Sequence, residues 1–230
     1  MQFTYHGQTY DYTVTRKNMK NIIAHVRQDG TIWVSAPYHA PQAFIQEFVK
    51  ANAPQLSEMA EKAKQQTADR PDFTDGSKLP HLGEQITLHY SPVPCCASIS
   101  DGVLTLYARS PQEAELAHRQ WLIDTCVALY RQINREVSAH YNRMGYDVPL
   151  ARIEIKEMKS RWGSCTARTG RISMNFRLMQ YPLGCIYGVF YHEYAHFMHL
   201  DHSKAFYAVL YRMYPEYEKF DAILNHKQKG

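Results

Sequence analysis

Cysteine is scarce in this sequence and badly placed for cross-linking. Cys95, Cys96, Cys126, Cys165 and Cys185 form an odd set with no CxxC pair, which argues against a disulfide framework and against a zinc ribbon. No apolar run approaches the roughly 20 residues that a membrane-spanning helix needs. Blocks of like charge are missing too: 26 basic and 22 acidic residues leave a net charge of +4. That excess permits a polyanionic partner without demanding one, and no dedicated nucleic-acid-binding element is read. Neither an internal repeat nor a low-complexity tract is evident. The opening MQFTYHGQTYDYTV has no basic segment followed by an apolar one, so no signal peptide is read and a soluble, cytoplasmic protein is expected.

What is present is a chain of 230 residues, long enough to bury a core, with 13% aromatics led by 17 tyrosines. The first forty residues read as an antiparallel meander. It comprises Phe3 to Tyr5, a turn at Gly7, Tyr10 to Thr15, Ile22 to Arg27, a hairpin turn at Asp29-Gly30, and Thr31 to Ser35. Pro41 opens a helix with Phe44, Phe48 and Val49 as its apolar stripe. A polar helix follows from Glu58 to Gln66, and residues 67–80 read as a loop. Strands are expected over Gln85 to Tyr90 and Ala97 to Tyr107, with Asp101-Gly102 as a turn. Ser110-Pro111 with Glu113 is a helix start. Leu122, Cys126, Tyr130, Ile133, Val137 and Tyr141 then step along one face to about Arg143. Strands over Ala151 to Met158 and Arg171 to Leu178 flank KSRWGSCTARTG. A helix from Pro182 to about Leu200 and another over Ser203 to Met213 close the chain, with a short one after Pro215. The fold class expected is α+β: a β-rich part over 1–110 with one helix, and a second part over 111–230 with a small sheet and a metal-binding helix. One integrated domain is the alternative.

The chemistry concentrates in YHEYAHFMHLDH, from Tyr191 to His202. Four residues return an α-helix to nearly the same face, so His192 and His196 can turn imidazoles toward one ion. Glu193 leans to the same side and can take a proton from a metal-activated water. His199 and His202 are both candidates for a third ligand. His199 shares the face but lies about 10.5 Å along the axis from His192. His202 would face away on a continuing helix and reaches the metal if the helix ends near Leu200; it is favoured. Asp201 either orients a ligand imidazole or caps the next helix with Ser203. In RWGSC, Arg161 can hold a carboxylate or phosphate, Trp162 can wall a pocket, and Ser164 can donate a hydrogen bond. The competing reading of that segment is a β-turn with Trp162 as core filler. Nothing marks a partner that would make Cys165 a nucleophile.

The chain resembles the YgjP-like metallopeptidases, relatives of the SprT and WLM zinc peptidases. The resemblance is carried by MKSRWGSC (158–165), ISMNFRL (172–178), YHEYAHFMHLDHSKAF (191–206), Pro215, Tyr217 and the early DGTIWVSAP. It implies a zincin-like second part, one zinc ion per chain on His192, His196 and His202, and Glu193 as general base. RWGSC would lie near the cleft. Tyr194 departs from the family's usual Leu, and Gly188 to Tyr191 is less aliphatic than usual, which bears on the shape of the pocket.

Three functions follow as expectations. The first is a zinc peptidase with an HExxH-x5-H site and a peptide or protein substrate, contacted by Arg161, Trp162, Ser164 and Asn175. In it the strand Ile172 to Leu178, if it lies at a sheet edge, offers itself to an extended peptide. The second is a metal-dependent nucleotide pyrophosphohydrolase, with Lys159, Arg161, Arg168 and Arg171 as phosphate-binding cations. The third is a binding module that acts on protein or on DNA-associated protein.

Overall fold

The computed structural model describes residues 1–27, 29–68 and 71–228. The chain divides into two compact units, Met1–Arg70 and Pro71–Lys229. Residues 71–110 therefore belong with the second unit, whereas the sequence pattern grouped them with the first.

The first unit is one sheet and two helices. Its strands are β1 (Gln2–Tyr5), β2 (Gln8–Lys17), β3 (Ile23–Val26) and β4 (Ile32–Pro37), in the order β1-β2-β4-β3. The outer pairs are antiparallel, but β2 and β4 run parallel. The expected meander is thus corrected to a mixed sheet, in which β3 crosses to the far edge and β4 returns beside β2. Helices α1 (Gln42–Ala51) and α2 (Ala53–Ala68) cover it. Ile45 and Val49 are the buried residues of α1. Phe44 stays 60% exposed, so its place in the predicted stripe is also corrected.

The second unit opens on a sheet of the same design. Strands β5 (Lys78–His81), β6 (Glu84–Ser91), β7 (Ser98–Ser100) and β8 (Val103–Tyr107) lie in the order β5-β6-β8-β7, and again only the central pair is parallel. β5 falls where the sequence reads as a loop, because Pro80 masks a short edge strand, a position proline tolerates. The first hairpins of both sheets turn on two left-handed residues, His6-Gly7 (φ 48 and 79) and Leu82-Gly83 (φ 49 and 88). This is the two-residue turn whose twist suits antiparallel strands. By register, Phe3, Tyr10, Tyr12, Ile32 and Val34 correspond to Leu79, Ile86, Leu88, Leu104 and Leu106, and Ala36 at the end of β4 to Ala108 just past β8. All twelve are buried. The fold therefore contains a structural repeat that the residues conceal, since hydrophobic identity changes at nearly every matched position.

Helix α3 (Pro111–Arg143) is capped by Ser110, whose hydroxyl accepts from the Glu113 N–H. It buries the predicted stripe completely or nearly so. A three-stranded sheet follows, with order β10-β11-β9, made of β9 (Arg152–Lys156), β10 (Gly163–Thr166) and β11 (Arg171–Asn175). Helices α4 (Leu183–Ala195), α5 (Lys204–Met213) and α6 (Tyr217–Gln228) complete the unit. α4 lies at its centre, packed by α3, α5, α6 and β10. No helix among the described residues is long and apolar enough to cross a membrane.

Candidate metal centre

α4 is almost wholly buried, and its apolar flanks Val189, Phe190, Tyr194 and Ala195 anchor it in the core. It carries His192 and Glu193 in its last turn, and His196 is its C-cap. The helix stops one turn before the length expected from sequence. Tight turns follow, in which Phe197, Met198 and His199 donate back to the carbonyls of Tyr194 and Ala195. The early stop brings His202 round to the first two histidines. Its Nε2 lies 3.0 Å from His192 Nε2, and the ligand atoms of His192, His196 and His202 all fall within 4.8 Å of one another. The ring of Phe206 closes the floor, 4.7–4.9 Å from each imidazole.

The donor set suits a divalent metal ion. The Tyr217 hydroxyl donates to Asp221 Oδ1 at 3.1 Å, so it accepts from His192 Nδ1 at 3.0 Å. The proton of His192 therefore sits on Nδ1, and Nε2 keeps its lone pair. His196 Nδ1 donates to the His199 carbonyl at 3.0 Å, which leaves its Nε2 bare in the same way. Burial pushes the pKa of His192 down to about 3 and lowers that of His196, so both rings stay neutral. Two nitrogens sharing one zinc at the usual bond length stand roughly 3.3 Å apart, close to the separation of His192 and His202. His199 thus serves through its backbone carbonyl. Asp201 accepts from Ser203, the N-cap of α5, which decides for the capping alternative. The half-buried Tyr217–Asp221 pair takes the orienting role instead. Only the late Tyr217 in the family pattern could have hinted at it.

Glu193 is 5% exposed and faces β10. Burial raises its carboxyl to about 8, opposed by an N–H donated from Cys165 and by the charge of Arg161. Gly163 makes this approach feasible: a Cβ there would come within 2.6 Å of Glu193 Oε1 and 2.8 Å of Val189 Cγ1. Burial drives the Cys165 thiol up to about 12, so it is not a nucleophile near neutrality.

RWGSC is not a simple turn, for its second half is strand β10. This strand is one edge of the sheet and β9 the other; β11 is central, so the condition for its pairing with a peptide is not met. Asn175 N–H donates to the Trp162 carbonyl at 2.9 Å. Because pairing alternates along antiparallel strands, Gly163 and Cys165 turn their N–H and C=O groups away from β11, on the side of Glu193. Arg161, Trp162 and Gly163 line a cavity beside His192 and Glu193; Ser164 and Asn175 do not. Asn175 is 1% exposed. Its amide donates to the carbonyls of Met158 and Arg161 and accepts from the Arg177 N–H, so it clips the loop into place, out of the cavity and out of reach of a substrate. Of the four cations expected around a phosphate, only Arg161 lines the cavity, while Arg171 bonds Glu154.

A helix-borne histidine pair with a buried glutamate, joined by a third histidine from the following turn, defines a metal-dependent hydrolase in outline. The sequence comparison agrees: the family model for the YgjP-like metallopeptidase domain matches residues 20–227. The chain belongs to the YgjP-like family. No curated protein and no solved structure matches it.

Proposed function

We propose that the protein is a zinc-dependent peptidase whose single ion is held by His192, His196 and His202, with Glu193 as general base. The observation that carries this reading is the meeting of three imidazoles within 4.8 Å of one another, two of them with bare nitrogens fixed by their other hydrogen bonds, next to a buried glutamate. A bound divalent ion supplies Lewis acidity and makes water a nucleophile near neutral pH. The chain's residues do the rest. Glu193 takes the proton of the attacking water on its carboxylate and returns it to the leaving amine. With an ion held by the three histidines, Glu193 would be favoured as the carboxylate, the form that accepts the proton. The outward-facing groups of β10 that Glu193 does not engage, the N–H and C=O of Gly163 and the C=O of Cys165, offer hydrogen bonds to an extended peptide, laying the scissile bond beside Glu193.

A peptide suits this cleft better than a nucleotide. Arg161 is the only cation that lines the cavity, too few positive side chains to clamp a polyphosphate. The test is a screen of the zinc-loaded protein against unstructured peptides and nucleoside triphosphates. Peptide cleavage that Glu193→Gln abolishes while metal is retained is the expected result. Pyrophosphate release without peptide cleavage, or a fully active Glu193→Gln protein, overturns the proposal.

A further inference from the structure

Glycine inside a helix costs roughly 0.5–1 kcal/mol relative to alanine, so each helical glycine asks for a reason. α4 holds two, one turn apart. Gly184 has one in packing, because a Cβ there would collide with the ring of Phe220. Gly188 has none of that kind. It has no positive φ, and a Cβ on it would meet Tyr214 at 3.5 Å and Phe220 and Tyr217 at 3.9 Å, ordinary contact distances. The chain nevertheless keeps a glycine at this buried position, one turn before His192.

What Gly188 leaves open is the cavity beside the candidate metal centre. Its volume is about 210 Å³, where a single water needs roughly 10–15 Å³. Trp162, Val189, Cys185, Phe220 and Leu224 give it apolar walls, and Glu193 and His192 stand at its boundary. The edge β10 enters the same cavity through Gly163. A peptide laid along β10 would therefore drop one side chain into an apolar hole next to the reacting bond.

We propose that this cavity is a side-chain pocket that selects substrates with a large apolar residue adjoining the cleaved peptide bond, and that Gly188 sets its depth. The idea rests on the peptidase reading above. Each methylene in such a pocket is worth roughly 10- to 200-fold in specificity. Digestion of a random-sequence peptide mixture by the zinc-loaded protein, with the new ends read by mass spectrometry, should therefore show Leu, Met, Phe or Tyr over Ala and Gly by about tenfold or more at one position flanking the bond. Gly188→Ala should shift that preference toward smaller residues, and Gly188→Val should remove it, with zinc stoichiometry retained in both.

Cleavage indifferent to residue size, or a preference that Gly188→Ala and Gly188→Val leave unmoved, overturns the pocket and leaves the peptidase standing. The reverse case is separable. If nothing is cleaved, yet Leu- or Phe-containing peptides quench Trp162 fluorescence in zinc-loaded Glu193→Gln and Gly188→Val abolishes that binding, the pocket holds and the peptidase reading falls. Absence of both cleavage and binding overturns both.

Discussion

Two sheets of the same topology make up the first half of this chain, and they differ in what their cores join. In the first, Tyr10, Tyr12, Ile32 and Val34 close on α1 and α2 and form a core of their own. In the second, Ile86, Leu88, Leu104 and Leu106 are continuous through α3 with Phe190, Tyr194 and Phe206, the residues that hold the histidine helix and floor its site. One scaffold design thus serves once as a self-contained module and once as a foundation. Topology alone does not assign a role to a sheet; the elements that follow it in sequence do. After β4 the chain makes two helices that double back, whereas after β8 it makes the unbroken α3 and then the site.

The sharpest division between the halves should appear at Glu193. Glu193→Gln is expected to lower peptide hydrolysis by about 10²- to 10⁴-fold, the usual worth of a general base. Zinc content and thermal unfolding of the first unit should not change. Next comes a matched pair in the cores. Ile32→Ala and Leu104→Ala truncate equivalent, fully buried positions, and each should cost about 2–5 kcal/mol. In calorimetry with and without zinc, only Leu104→Ala should weaken the transition that zinc raises, because ligand stabilises the unit that binds it. If Ile32→Ala weakens it equally, the comparison between the halves fails.

A smaller effect comes from acid. His118 lies 4% exposed beside His81 and Trp121, and burial lowers its pKa from 6.5 to about 4. Between those values the unfolded chain takes up a proton that the folded one refuses. Stability is therefore present in full above about pH 6.5 and falls as pH drops toward 4, by up to about 3 kcal/mol. Urea unfolding across this range should show the loss in the second unit, and His118→Phe should flatten it. Mildest is the support behind His192: Tyr217→Phe removes one hydroxyl, and competition with a chelator should show zinc affinity reduced about 10- to 100-fold.

Much of the site was readable from the residues, because helical spacing alone places His192, Glu193 and His196 on adjacent faces. His202 was favoured on a helix ending near Leu200; the helix ends at Ala195 instead, and tight turns carry His202 round. The positions of Tyr217, Asp221 and Phe206 were not readable as contacts. They act across helix–helix packing, and local periodicity carries no information about which helices meet. Substrate contacts were read less well. Asn175 looked free to bind and is instead consumed by the Met158 and Arg161 carbonyls. The small sheet was misjudged for a related reason: GSCT is too short and too polar to announce a strand, so β10 was hidden and β11 was weighed as the edge in its place. The parallel pairing at the centre of both large sheets escaped because alternation marks strands without giving their order.

The claim on which the account depends is that three imidazoles share one ion. It is tested most directly by titrating zinc into the metal-free protein beside the His202→Ala variant, with X-ray absorption on the loaded parent. The account predicts one ion per chain with three nitrogen neighbours at roughly 2.0–2.1 Å, and a large loss of affinity in His202→Ala. A parent that takes up no zinc, or a His202→Ala variant that binds as tightly as the parent, would contradict it.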